Sequence, residues 1–179
     1  MKAAEKKPEY MTSLTGDRMV SKTHGRIVFR GLIDTLEAEV IEAQVLASGL
    51  GDEAASPDSK ETVICRNLGE ILDYLRLLMA AEVKESPLPP PFLFGMDAEE
   101  IHCRSYTTEW SGAALPCYTQ GPLAARLNTL RTKIREAELL AVRVFGPAAE
   151  EDEREDIILA LNRLSSALWW LYCEFTCHK

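Results

Sequence analysis

Basic residues are scarce in this chain: 20 Lys and Arg stand against 28 Asp and Glu, for a formal net charge of −8. Nucleic-acid binding draws most of its affinity from clustered Lys and Arg against phosphates, so a polyanion-binding surface is not expected. Long apolar runs are missing as well. No stretch approaches the roughly 18 consecutive apolar residues of a membrane-spanning helix, and the opening MKAAEKKPEY lacks the apolar core of a secretory signal. A cytoplasmic protein with no membrane partner is the expectation. Cys65, Cys103, Cys117, Cys173 and Cys177 are odd in number and scattered, which in such a chain points to reduced thiols. No internal repeat and no convincing strand is apparent, and the glycine-rich lysine loop of common nucleotide-binding proteins is absent.

The 179 residues, 46% hydrophobic and 27% charged, suit one folded domain with a buried core. Four segments carry helical periodicity. Phe29, Ile33, Leu36, Val40, Ala43 and Ala47 alternate at spacings of four and three, which lines one helix face, before Ser48-Gly49-Leu50-Gly51. Ile64, Leu68, Ile71, Leu75 and Leu78 do the same between Pro57-Asp58-Ser59 and Ser86-Pro87. A third stripe, Leu127, Leu130, Ile134, Ala137, Ala141 and Val144, runs from Gly121-Pro122 to Gly146-Pro147. The last, Ile157, Leu161, Leu164, Leu168 and Leu171 or Tyr172, follows an acidic run whose carboxylates favour a helix amino terminus. Between the second and third lies Ser86 to Gln120, rich in proline, where Asp97-Ala98-Glu99-Glu100 has capping-box spacing and marks one short helix. The remainder reads as a long loop. An all-α, antiparallel bundle of four long helices plus a short one accounts for this pattern, with a tail over 1–13 and the domain over 14–179.

Ligand sites in bundles lie beside the buried seam. Arg131, Arg135 and Glu138 fall at i, i+4 and i+7, on one face beside the third stripe. Two arginines four apart repel, and more strongly where water is excluded, so they require an anion. It is either a carboxylate lattice through Glu136, Glu138 or neighbouring helices, or a phosphate held by guanidinium donors. Asn162, in Leu161-Asn162-Arg163-Leu164-Ser165, is an unfavourable residue for a helix interior and reads as a hydrogen-bonded amide. A third segment, Leu14-Thr15-Gly16-Asp17-Arg18 with Ser21-Lys22-Thr23, is small and basic, and weak as a signal alone.

Together these three stretches resemble the ATP:cob(I)alamin adenosyltransferases. Arg131-Thr132-Lys133-Ile134-Arg135-Glu136-Ala137-Glu138 is similar to the family's arginine-rich helix motif, and Leu161 to Ser165 to its asparagine motif. Thr15-Gly16-Asp17-Arg18 to Lys22, then Arg26 and Gly31-Leu32-Ile33-Asp34, resembles its amino-terminal motif, in the same order. Met11-Thr12-Ser13-Leu14, Lys22-Thr23-His24 and Leu127-Asn128 favour the ethanolamine-utilization branch over the propanediol-utilization one. Leu139 stands where the latter has a further arginine, and Ser166 where it has an aspartate.

The resemblance implies a cobalamin adenosyltransferase-like bundle in which cob(I)alamin attacks the ribose carbon that bears the triphosphate of ATP, and tripolyphosphate leaves. It implies a catalytic set of Arg135, Arg131 and Asp34, and nucleotide contacts from Thr15, Gly16, Lys22, Arg135, Glu138 and Asn162, with Mg2+ on the phosphate oxygens. Phe92, Phe94, Trp110, Leu115 and Tyr118 are candidates for an apolar wall against the corrinoid, and none is preferred. It further implies a homotrimer with Asp34 of one chain facing Arg131 of another, and leaves room for association with a bacterial microcompartment. Ethanolamine-type members usually carry an amino-terminal metal-binding cluster that nothing before Tyr10 supplies here. Cys173, Cys177 and His178 give three ligands where structural zinc takes four, so no metal is expected on the cysteines. The rival reading is a catalytically inactive scaffold of the same fold; a bundle dimetal enzyme would need a pair of Glu-x-x-His motifs, and no such pair occurs.

Overall fold

A computed structural model describes residues 8–50, 59–107 and 115–177. Among these, the chain forms a short hairpin, β1 (Met11–Thr15) and β2 (Arg18–Ser21), followed by α1 (Gly25–Leu50), α2 (Lys60–Val83), α3 (Ala98–Tyr106), α4 (Gly121–Phe145) and α5 (Glu155–Thr176). Every residue of the four apolar stripes is buried. They meet in one core, to which Leu88, Leu93, Met96 and Ile101 add from the α2–α4 connection.

Helix ends follow from local chemistry. Ser59 caps α2 by accepting from the Thr62 amide at 3.2 Å, and Asp97 caps α3 by accepting from Glu99 and Glu100 at 3.0 and 2.8 Å. Each satisfies a donor that the first turn leaves without a partner. Pro122 sits in the opening turn of α4, where a missing N–H costs nothing. At the other end of α4 the chain turns so tightly that a Cβ on Gly146 would collide with the Val142 carbonyl.

Cross-helix contacts fix the topology. Gln44 near the end of α1 donates to the Cys65 carbonyl near the start of α2, at 3.3 Å, and Arg26 at the start of α1 meets Glu82 at the end of α2. Gly25 lies against Val144, and Lys133 pairs with Glu39, so α4 also runs antiparallel to α1. Glu138 meets Asn162, and Arg131 meets Trp169, which sets α5 antiparallel to α4. The bundle order is α2, α1, α4, α5, with α5 closing onto α2 and α3 lying on α5.

Two features depart from the sequence reading. The amino-terminal segment holds a two-stranded antiparallel sheet, in which Met11 pairs with Ser21 and Thr15 with Arg18 around a Gly16-Asp17 turn. Gly16 takes φ 51, a backbone conformation that glycine adopts without steric cost. The proline-rich connection is also more ordered than a plain loop: Leu93 and Met96 exchange backbone hydrogen bonds at 2.9 Å around Phe94 and Gly95. The Tyr74 hydroxyl donates to the Pro89 carbonyl at 2.6 Å.

Candidate functional site

The α4 helix presents two differently furnished cationic faces. Toward α1, Lys133 pairs with Glu39 and Arg126 with Glu42. Toward α5, neither Arg131 nor Arg135 makes an ion pair with any carboxylate among the described residues. Arg131 instead donates Nε and Nη2 to Asn128 Oδ1 at 3.1 and 3.0 Å, and its guanidinium lies 5.5 Å from the ring centroid of Trp169. Burial, with the Arg135 charge beside it, lowers the pKa of Arg131. Arg135 is exposed and has no hydrogen-bond partner among the described residues.

These arginines line a cavity of ≈ 300 Å³ together with Ser165, Ser166 and Trp169 of α5; Ser105, Tyr106, Leu115 and Pro116 complete it. Among the described residues, the carboxylate lattice that would balance the two charges is therefore not formed there. Two like charges beside one recess, with Ser166 opposite, have the chemistry that suits an anion rich in oxygen, while the Ser165 hydroxyl is engaged with the Asn162 carbonyl at 2.8 Å.

About one turn along, Asn162 donates Nδ2 to Glu138 Oε1 at 2.9 Å and accepts from Arg163 Nη1 at 2.6 Å. The amide is thus satisfied between helices, and one Glu138 oxygen is left without a protein partner among the described residues. Glu138 and Asn162 also border a larger recess of ≈ 670 Å³ lined by Val142, Ile158 and Leu159.

Thr15, Gly16 and Lys22 lie on the hairpin, outside the arginine cavity of their own chain. Lys22 is exposed. Asp34, exposed on α1, forms no ion pair among the described residues. The structure therefore brings Arg131 to Arg135 and Glu138 to Asn162, and it leaves the hairpin and Asp34 apart from both within one chain. Among the wall candidates, Leu115 borders the cavity and is 83% exposed. Phe94 is occupied in stacking on Trp170 at 5.5 Å, Phe92 and Tyr118 project into solvent, and Trp110 lies outside the described residues. Cys173 is buried, which pushes its thiol up to about 12, and His178 lies outside the described residues.

Sequence reasoning missed Trp169 and noted Ser166 only as a difference between branches, with no site role. They fall on the face that carries Asn162, seven and four residues further on, so the helical period already contained the signal.

The fold defined by this bundle is that of the corrinoid adenosyltransferases. Two single-residue variants of a PduO-type ATP:corrinoid adenosyltransferase from Lactobacillus reuteri, each solved with cobalamin and ATP, superpose with a TM-score of 0.65. They share 18% identity over 93% of this chain, covering 88% and 86% of theirs. Residues 3–175 match the cobalamin adenosyltransferase family profile, and the chain belongs to that family. The chain is 35% identical over 167 residues to the corrinoid adenosyltransferase EutT of Salmonella typhimurium and 33% identical to EutT of Escherichia coli K12. It spans 92% of its own length in these matches but 58% of theirs.

Proposed function

We propose that this chain transfers the 5′-deoxyadenosyl group of ATP to cob(I)alamin, giving adenosylcobalamin and tripolyphosphate, in support of ethanolamine utilization. The observation that carries the reading is the pair Arg131 and Arg135, which faces a cavity with no carboxylate among the described residues to balance it, in a family whose reaction expels a highly charged triphosphate. The cobalt of the reduced corrinoid is itself the nucleophile, so the chain supplies alignment and charge stabilisation rather than a nucleophilic side chain. Arg135, without a partner among the described residues, meets the departing phosphates. Arg131, held by Asn128 and Trp169, gives the recess a fixed positive charge. Glu138 and Asn162 position the nucleotide.

Magnesium fits as the companion of the triphosphate. It takes oxygen ligands, and no group of three His, Cys, Asp or Glu side chains converges among the described residues. Phosphate oxygens would provide most of its shell, and Glu138, with one oxygen not engaged by Asn162, is the side chain that would hold it. Bound there, the ion would neutralise charge on the leaving group.

The separation of the hairpin and Asp34 from the arginine cavity supports a site shared between chains. In a homotrimer, Thr15, Gly16 and Lys22 of one copy complete the phosphate cavity of the next, and Asp34 faces the neighbouring Arg131. No helix among the described residues is long and apolar enough to cross a membrane, and a place in the cytoplasm, near or within a microcompartment, suits this role. Incubating the chain with ATP, magnesium and chemically reduced corrinoid, and following the spectrum of the light-sensitive cobalt–carbon product, tests the reading. Absence of that product overturns it.

A further inference from the structure

The most heavily buried charges among the described residues lie where the start of α1 meets the end of α2, and the proposed chemistry does not use them. Glu82 of α2 is 0% exposed and Arg26 5% exposed. Glu82 Oε1 accepts from Arg26 Nε at 2.6 Å and Oε2 from Arg30 Nε at 2.5 Å. The Glu82 carbonyl also accepts from Arg26 Nη2 at 3.0 Å. Arg26 reaches further to Glu85 at 2.7 Å and Glu151 at 3.4 Å, and Glu151 in turn faces Arg18 at 3.0 Å and His24 at 3.3 Å.

A carboxylate taken wholly out of water persists only with strong partners, and removing it would strand two guanidinium groups. That cost is more than the ends of two helices need, since the apolar core already joins α1 to α2. The far side of Arg30 shows what else is held: its Nη1 donates at 2.8 Å to the carbonyl of Leu14, inside β1. Leu14 is the buried residue of the hairpin and directly precedes Thr15 and Gly16. Among the described residues the hairpin also meets the body through the buried Leu14 side chain, through the His24 amide on the Ser21 carbonyl at 3.0 Å, and through Arg18 on Glu151, at an exposed guanidinium. Strand pairing of so few residues is marginal on its own, so where the loop sits depends on these contacts, and the Arg30 bond to the Leu14 carbonyl is the one that Glu82 holds directly.

We infer that Glu82 is a positioning residue for the nucleotide: by fixing Arg30 it fixes the Leu14 carbonyl, and through it the hairpin that presents Thr15, Gly16 and Lys22 to the triphosphate. The inference rests on the proposed nucleotide role of that hairpin. Glu82 itself touches no substrate. A carboxylate that only glued α1 to α2 would, when neutralised, loosen both helices and lower turnover and stability together.

Two variants of the whole chain test this, Glu82→Gln and Arg30→Lys; the second keeps a cation beside Glu82 but cannot also reach Leu14. In ligand-free protein, amide hydrogen exchange of the hairpin should accelerate by about tenfold or more, with the Lys22 amide, bonded to the Tyr10 carbonyl, as reporter, while α4 and α5 core amides keep their protection. In turnover assays the KM for ATP should rise about tenfold with kcat within about twofold of the parent. If Glu82→Gln does not fold, Arg30→Lys carries the test. Unchanged hairpin exchange in a folded variant, or a fall in kcat with KM for ATP unaltered, overturns the inference. A parent chain that makes no adenosyl product refutes the proposed function instead, and the exchange measurement still judges whether Glu82 sets the hairpin.

Discussion

Asn162 of α5 and Glu138 of α4 share a hydrogen bond of 2.9 Å that ties the two helices together about one turn from the arginine cavity. The bond aligns both motifs of the site, because Arg131 and Arg135 share a face with Glu138, while Ser166 and Trp169 share one with Asn162. Asn162→Ala removes the donor and leaves a part-buried carboxylate unpaired, which costs about 1–3 kcal/mol. Asn162→Asp sets two carboxylates against each other and should be worse at neutral pH, with partial recovery once either can be protonated. Denaturant midpoints for both variants at neutral and mildly acidic pH give the comparison.

Arg135 has no hydrogen-bond or ion-pair partner among the described residues, so its removal should separate activity from stability. Arg135→Ala is expected to lower kcat/KM by about 2–4 kcal/mol of transition-state stabilisation while shifting unfolding by less than about 0.5 kcal/mol. Steady-state rates beside urea titrations make the distinction; equal activity in the variant would remove Arg135 from the site.

Acid should weaken the bundle through the charged end of α1. Hydrogen bonds and charge from Arg18 and Arg26 outweigh burial and hold Glu151 below its ordinary 4.5; Arg26 does the same for Glu85. Such carboxylates bind protons less readily folded than unfolded. Their contribution is therefore complete above the unfolded value near 4.5 and is lost as pH falls through the lower folded value. Unfolding midpoints measured down to about pH 3 should fall in this window, and Glu151→Gln should flatten part of the slope.

The cysteines should differ in reactivity. Cys117, exposed and bonded to the Thr119 hydroxyl at 2.9 Å, has a lowered pKa; Cys103, also exposed, is raised by what burial it has and by Glu99. Alkylation followed by mass spectrometry near neutral pH should label Cys117 first, then Cys103, and leave buried Cys173 unmodified until the chain unfolds.

Charge exchange tests the shared site. Asp34→Arg and Arg131→Asp should each impair assembly and nucleotide binding, and the double exchange should recover part of both if the side chains meet across an interface. Sedimentation with an ATP-binding assay reports it; strictly additive losses, or a monomeric parent, would contradict the pairing.

The four long helices were legible because their stripes, from Phe29 through Tyr172, serve a single core and no competing interaction disturbs the period. The capped start of α3 at Asp97 was legible for a local reason too. The hairpin was not. Its strands are short and polar, and only the Gly16-Asp17 pair signals a turn. The Arg131 and Arg135 pair could be placed on one face, but whether a carboxylate answered it depended on what α5 and the residues near Pro116 brought opposite. The salt-bridge group around Glu82 joins residues more than fifty positions apart and leaves no local pattern.

The central claim is that the paired arginines serve adenosyl transfer, and the stoichiometry of products tests it most directly. With reduced corrinoid, ATP and magnesium, adenosylcobalamin and tripolyphosphate should appear in equal amounts, and Arg135→Ala should lose both together. Binding of ATP without either product, or release of orthophosphate without a cobalt–carbon bond, would contradict the account and leave a scaffold of the same fold as the better description.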